Sequence, residues 1–414
     1  MATQESFSRS DLLRLLTEAC ELEHGLACSY LYSAMSLRQD PFGEEVTAEE
    51  ILLVRQWAAQ VYFIASQEMF HLAQAWNLLT ALGGTPYYLR PNFPQDTKYY
   101  PMHMRLALEP YGEATLDRFI AYEKPTQLLE EHSFVEKMIM PRASEADVSF
   151  RTVGELYNII ENGIVQLPTA IVGDSAAQVG SDLVDFPDIV RVVGVDSAVE
   201  AIHRITHQGE GTEKDRDDCH FGIFLALRDA LKCEKKKNPH FAPAHPTLSN
   251  PAVDRSEAYG ASRASFIENA YSADVARLFD GLYSLMLRML SYTFAPGGEF
   301  DLRRTLGQGA IILMVTVIKP LGEALTALPA GPKPGRNAGP PFGLTRHVLL
   351  PVSATSARLL VAERLNELSA FATALAASPN APQSLQRVAA ALQRLSNFPG
   401  IGVAPIHEIS SVQP

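Results

Sequence analysis

Glu68 and His71 stand three residues apart in a run whose apolar positions recur at helical spacing: Val61, Ile64, Ala65, Leu72, Ala75 and Leu79. Positions i and i+3 share one face of a helix. The spacing therefore aims a carboxylate and an imidazole into an apolar core. An unpaired buried carboxylate costs on the order of several kcal/mol, so something must compensate it. A metal ion would. A lone Glu-x-x-His pair also arises on solvated helix surfaces, so the weight rests on recurrence. Val199-Glu200-Ala201-Ile202-His203 repeats the motif, flanked by Val195, Val199, Ile202 and Ile205. Glu23, among Leu12, Leu15, Leu16, Ala19, Leu22 and Leu26, and Glu155, among Val153, Leu156, Ile159 and Ile160, each add one carboxylate. One Glu, Glu-x-x-His, one Glu, Glu-x-x-His is the donor set of a dimetal site in a four-helix bundle. Such oxygen and nitrogen donors suit iron or manganese.

The elements that must carry these donors read as helices. Helix one starts near Asp11, a candidate cap, and runs to about Leu37, where Asp40-Pro41-Phe42-Gly43 breaks it. Thr47 and Glu50 form a capping box for helix two, about Ala48 to Leu82, closed by Gly83-Gly84 with Pro86 beyond. A long connection, 85–149, holds a short helix over 112–122 and then Tyr122-Glu123-Lys124-Pro125. It has the length of the crossover that joins the helix pairs of such bundles. Helix three runs from about Thr152 to Val165. There Thr152-x-x-Glu155 is also a capping box, so Glu155 is either ligand or cap, with Glu161 as the alternative ligand. Helix four spans about Ser197 to Gln208 and stops at Gly209-Glu210-Gly211. A further helix over 217–231 carries His220, Phe221 and Phe224.

The whole chain sets outer bounds. Its 414 residues predict two domains: a dimetal-binding bundle over 1–233, a linker over 234–256, and a helical domain over 257–414. The fold class is all-α. The last part shows four helices with apolar periodicity, for example Leu278, Leu282, Leu285 and Met289, and no acid–imidazole set. A net charge of −12 argues against nucleic acid or an anionic membrane as partner. The run Gly309 to Ile318 ends at Lys319-Pro320, short of the roughly 18 apolar residues of a spanning helix, and reads as core. Residues 1–11 are polar, without a signal-peptide core. Cys20, Cys28, Cys219 and Cys233 form no framework and read as reduced thiols, which predicts a cytoplasmic protein. A homodimer is left open.

Several stretches resemble one family. Cys20-Glu21-Leu22-Glu23-His24, Glu68-Met69-Phe70-His71-Leu72, Leu78 to Pro86, Val153-Gly154-Glu155-Leu156-Tyr157 and Gln208-Gly209-Glu210-Gly211 are similar to the ferritin-like domain of iminophenyl-pyruvate dimer synthase. The resemblance covers about residues 10–230. It implies a ferritin-like bundle with Glu23, Glu68, His71, Glu155, Glu200 and His203 around two iron ions, with manganese as the alternative metal. It further implies a diiron oxidoreductase that uses dioxygen on a small amino-acid-derived substrate in natural-product biosynthesis. The other class to weigh is a ferritin-like protein that binds or stores iron. A substrate carboxylate needs a cation, for which the crossover offers Arg90, Lys98, Arg105, Arg118 and Lys124. The crossover, with the C-terminal half as a lid, is the expected substrate mouth.

Overall fold

The computed structural model describes residues 7–39, 47–95, 105–128, 150–184, 186, 188–209, 217–253, 265–294, 297–344, 349–379, 381–398 and 401. It is all-α apart from one two-stranded parallel pair, Pro251–Ala252 (β1) and Ser265–Phe266 (β2). Helix α1 (Arg9–Ser36) pairs along its length with α2 (Ala48–Ala81). Ser8, rather than Asp11, is the cap of α1: its hydroxyl accepts from the Asp11 amide (3.2 Å), and the Asp11 carboxylate accepts from the Ser8 amide (2.9 Å). Thr47 and Glu50 close the same reciprocal box on α2. At the far end Gly83 adopts φ +83°, and Gly84 donates to the Leu79 carbonyl at 2.9 Å. That left-handed exit suits glycine.

Short helix α3 (Glu113–Tyr122) packs on α6 (His220–Lys237), while α4 (Val153–Gln166) lies against α1, and α5 (Val195–Gly209) against α2. The second half contributes α7 (Ala270–Thr293), α8 (Phe300–Leu313), a π-helical turn (Met314–Ile318), α9 (Lys319–Thr326), α10 (Ala354–Ala376) and α11 (Gln383–Ser396). The continuous helical stretch Phe300–Thr326 is long and apolar enough, on composition alone, to cross a membrane, and 56% of its apolar 18-residue window is buried within the protein. The first of these helices starts at Ala270, where the Asn269 side chain accepts from the Ser272 amide at 3.0 Å.

The two halves share one hydrophobic core. Tyr32 of α1 donates to the Leu248 carbonyl, and Thr326 of α9 donates to the Met35 carbonyl at 2.9 Å. The Arg303 guanidinium reaches back to the carbonyls of Ala176 (2.7 Å) and Ala177 (2.9 Å). The segment read as a linker, 234–256, is built into this body as far as it is described. Helix α6 extends through Lys237, and Phe241, Leu248 and Asn250 are buried. Asn250 exchanges two hydrogen bonds with the Leu108 backbone, at 2.8 and 2.9 Å.

Candidate metal centre

Glu23, Glu68 and His71 meet in the bundle interior, all nearly inaccessible to solvent. Each comes from a mid-helix position on an apolar stripe, as the spacing predicts. The remaining members of the cluster are Glu123, directly after α3, and His220, the first residue of α6; these form a second buried triad with Glu68. Glu68 is common to both. Its Oε2 lies 3.2 Å from His71 Nδ1 and its Oε1 lies 2.8 Å from His220 Nδ1. Glu23 Oε2 approaches His71 Nδ1 at 3.6 Å, and Glu123 Oε2 approaches His220 Nδ1 at 3.7 Å. The imidazole rings stack with centroids 5.5 Å apart.

The surrounding hydrogen bonds sort the donor atoms. His71 Nε2 contacts Gln208 Oε1 at 3.0 Å and His220 Nε2 contacts Gln67 Oε1 at 3.1 Å. A carbonyl oxygen there calls for an Nε2–H donor, which leaves each Nδ1 as the lone pair in the metal-binding tautomer. Tyr157 donates to Glu23 Oε1 at 2.6 Å, and Tyr30 donates to Glu123 Oε1. Each outer carboxylate thus has one oxygen held by a phenol and the other turned inward. The inward atoms Glu23 Oε2, Glu68 Oε1 and His220 Nδ1 have no hydrogen-bond partner among the described residues. His220 Nδ1 and Glu68 Oε1 are close in distance yet lack hydrogen-bond geometry, so they converge without satisfying each other. Buried polar atoms are nearly always paired. Converging, orphaned carboxylate oxygens and imidazole nitrogens fit a divalent cation.

Electrostatics in the metal-free state point the same way. Burial pushes Glu23 up to about 8. For Glu68 burial acts upward too, but the imidazoles of His71 and His220 outweigh it and hold that carboxyl far below the usual range. Burial opposes charging of the imidazoles. The neighbouring carboxylates, Glu68 foremost, nonetheless raise His71 to about 10 and His220 to about 9. The folded metal-free protein therefore holds protons that the unfolded chain, with ordinary values near 6.5 for His and about 4.3 for Glu, gives up. The imidazole contribution is fully present below about pH 6.5 and is lost as pH rises through 9–10; the raised Glu23 shifts stability in the same direction. Chelated protein should accordingly lose a few kcal/mol of denaturant stability between pH 7 and 10. Metal-loaded protein, whose imidazoles are already deprotonated, should lose much less. Equal slopes in urea titrations of the two forms would refute this.

The other predicted ligands lie elsewhere. Glu155 is a cap residue: its amide donates to Thr152 Oγ1 (3.0 Å), and its carboxylate takes the Arg151 amide (2.6 Å) and guanidinium (3.1 Å). Glu200 pairs with Arg204 at 2.7 Å on the surface, and exposed His203 pairs with Glu161 at 3.2 Å, so Glu161 does not replace Glu155 in the cluster. The reason is the phase of α5. Its buried positions are Ala198, Ala201, Ile202 and Ile205, and Glu200, His203 and His207 fall on the opposite side. Glu123 and His220 carried a legible signal. His220, Phe224, Leu227 and Leu231 form one buried stripe, and Glu123 extends Leu116 and Phe119 by another turn. Gly209 comes so close that a Cβ there would sit 3.4 Å from Glu123 Oε2. The motif residues Glu210 and Gly211 lie outside the described residues, as does Lys98.

Of the crossover cations, Arg118 pairs with Glu109 at 3.1 Å. Arg90 is buried against the C-terminal half, donating to the Phe342 carbonyl (2.6 Å) and Tyr283 hydroxyl (3.2 Å). A family model described as Ferritin-like matches residues 16–229, more than half of the chain and all five cluster residues.

The chain belongs to the Ferritin-like family.

Among its relatives, dichlorochromopyrrolate synthase of Lentzea aerocolonigenes is 26% identical over 411 residues, covering 90% of this chain and 40% of that protein. The 2-imino-3-(indol-3-yl)propanoate dimerase of Chromobacterium violaceum is 29% identical over 369 residues, covering 81% and 34%. These two relatives match the type that the motifs resemble. This Ferritin-like chain spans less than half the length of either relative. A crystal structure of a ferritin like protein from Caulobacter vibrioides aligns with a TM-score of 0.47 at 18% identity, over 74% of this chain and 96% of that one.

Proposed function

We propose that this protein is a non-heme diiron oxidase or oxygenase that uses dioxygen to transform a small amino-acid-derived substrate in natural-product biosynthesis. The observation that carries the reading is the pair of buried acid–imidazole triads meeting on Glu68. The substrate class comes from the relatives, one of which is named a 2-imino-3-(indol-3-yl)propanoate dimerase. Glu23, His71 and one oxygen of Glu68 would hold the first metal; Glu123, His220 and the other oxygen of Glu68 would hold the second. Iron, or manganese in its place, would supply electrons to dioxygen there. The rest of the work falls to the chain. Gln67 and Gln208 fix the imidazole tautomers, and Tyr30 and Tyr157 orient the outer carboxylates. Leu26, Val153 and Ile205 line the site with hydrocarbon that keeps water out, and Phe119 and Phe224 pack around Tyr30.

Iron(II)-loaded protein, exposed to dioxygen with a panel of amino acids and their keto and imino acids, is expected to consume oxygen faster with one aromatic, indole-type class. Rapid iron oxidation with mineral formation and no acceleration by any acid would overturn the reading in favour of iron storage.

A further inference from the structure

On the flank of the α1–α2 pair lies a partly open cavity of about 70 Å³, walled on its other sides by α7, α8 and the π turn of the second half. It shares its supports with the metal centre. Ala27 lines it one turn beyond Glu23, and Leu72 lines it one turn beyond Glu68 and next to His71. The wall is carbon and sulfur almost throughout, with Ala73, Met286 and Met314 among its members. At its corner the Tyr283 hydroxyl contacts His24 Nε2 and Cys28 Sγ (3.2 Å) and accepts from Arg90 (3.2 Å), which leaves His24 Nδ1 as a lining polar atom with no hydrogen-bond partner among the described residues. A water molecule needs two to four polar partners, and a single imidazole nitrogen falls short of that.

Size decides what the cavity can hold. A cavity of about 150 Å³ takes up benzene, and a water's share of liquid volume is roughly 30 Å³. A space of 70 Å³ is too small for an indole ring and ample for a diatomic gas. Well-packed cores rarely keep such space. Here Met314 and Ile318, which line it, belong to a π turn, a feature that interrupts regular helix hydrogen bonding and frequently accompanies function. We infer that this cavity is a binding site for dioxygen, an apolar gas held beside the two helices that carry Glu23, Glu68 and His71. The inference rests on the oxygen-dependent reading above.

Xenon is the probe. Crystals of the wild-type protein under xenon pressure should show xenon in this cavity, and Ala73→Leu, or the milder Ala73→Val should leucine prevent folding, should exclude it. The same variant, with wild-type metal content, should take up oxygen several-fold more slowly in its iron(II) form at limiting dioxygen and recover at saturating dioxygen. An absence of xenon from the wild-type cavity overturns the inference. Xenon binding combined with oxygen uptake indifferent to Ala73→Leu overturns it while leaving the proposed function intact. Xenon binding in a protein that takes up no oxygen at all overturns dioxygen as the occupant together with the reading it rests on.

Discussion

Glu68→Gln is expected to empty both halves of the metal centre, taking metal content from two ions per chain to near zero. Each Glu68 oxygen faces a different imidazole, at 3.2 and 2.8 Å, so among the described residues Glu68 alone serves both triads. The amide keeps the side chain's shape but presents only one oxygen, without charge. Glu123→Gln, by contrast, touches only the triad with His220 and should lose about one ion. The substitution should not unfold the chain. Its metal-free form loses the counter-charge of His71 and His220, and those imidazoles can shed protons rather than remain as uncompensated buried cations, a state costing about 3–5 kcal/mol. Elemental analysis after iron(II) loading, with circular dichroism as the folding control, makes the comparison. Wild-type metal content in Glu68→Gln would eliminate the shared-carboxylate site.

His220→Ala and His203→Ala should part company sharply. His220 is fully buried with Nδ1 aimed at Glu68 and Glu123, whereas His203 lies exposed against Glu161. Loss of His220 removes a nitrogen donor outright. Its effect on metal affinity should exceed the roughly 10–100-fold typical of removing a residue that merely supports a ligand. Loss of His203 should leave metal content unchanged and stability within about 0.5 kcal/mol, as for ordinary surface positions. Isothermal titration with iron(II) or manganese(II) under anaerobic conditions reads both. The reverse ranking would return the second Glu-x-x-His motif to the site.

That contrast shows what was legible in the sequence. Glu23, Glu68 and His71 sit in mid-helix, where apolar neighbours on both sides define the buried stripe over several turns. The second Glu-x-x-His sits on a helix whose apolar residues, Val195 and Val199 included, spread far enough round the axis to leave the phase ambiguous; burial of Ala198 and Ala201 then settles it against Glu200 and His203. Glu123 and His220 carried a fainter signal because of their position. One follows the last residue of α3 and the other opens α6, so neither has a full turn of pattern on both sides. The helices themselves were readable because their caps and breakers are local. The continuity of the two halves was not, since contacts such as Arg303 to Ala176 join residues over a hundred positions apart.

Helix α1 is enclosed to an unusual degree: from Leu22 to Leu37 only Leu31 falls short of full burial. That part of the helix has no solvent face from which to open, so its amides are expected to exchange with deuterium only when the whole molecule opens. Surface helices such as α10, where Glu363, Arg364 and Glu367 face water, can open and reclose without disturbing it. The carboxylate of Glu23 thus hangs from the most slowly exchanging part of the fold, and the donor set keeps its shape through the local openings that the rest of the protein undergoes.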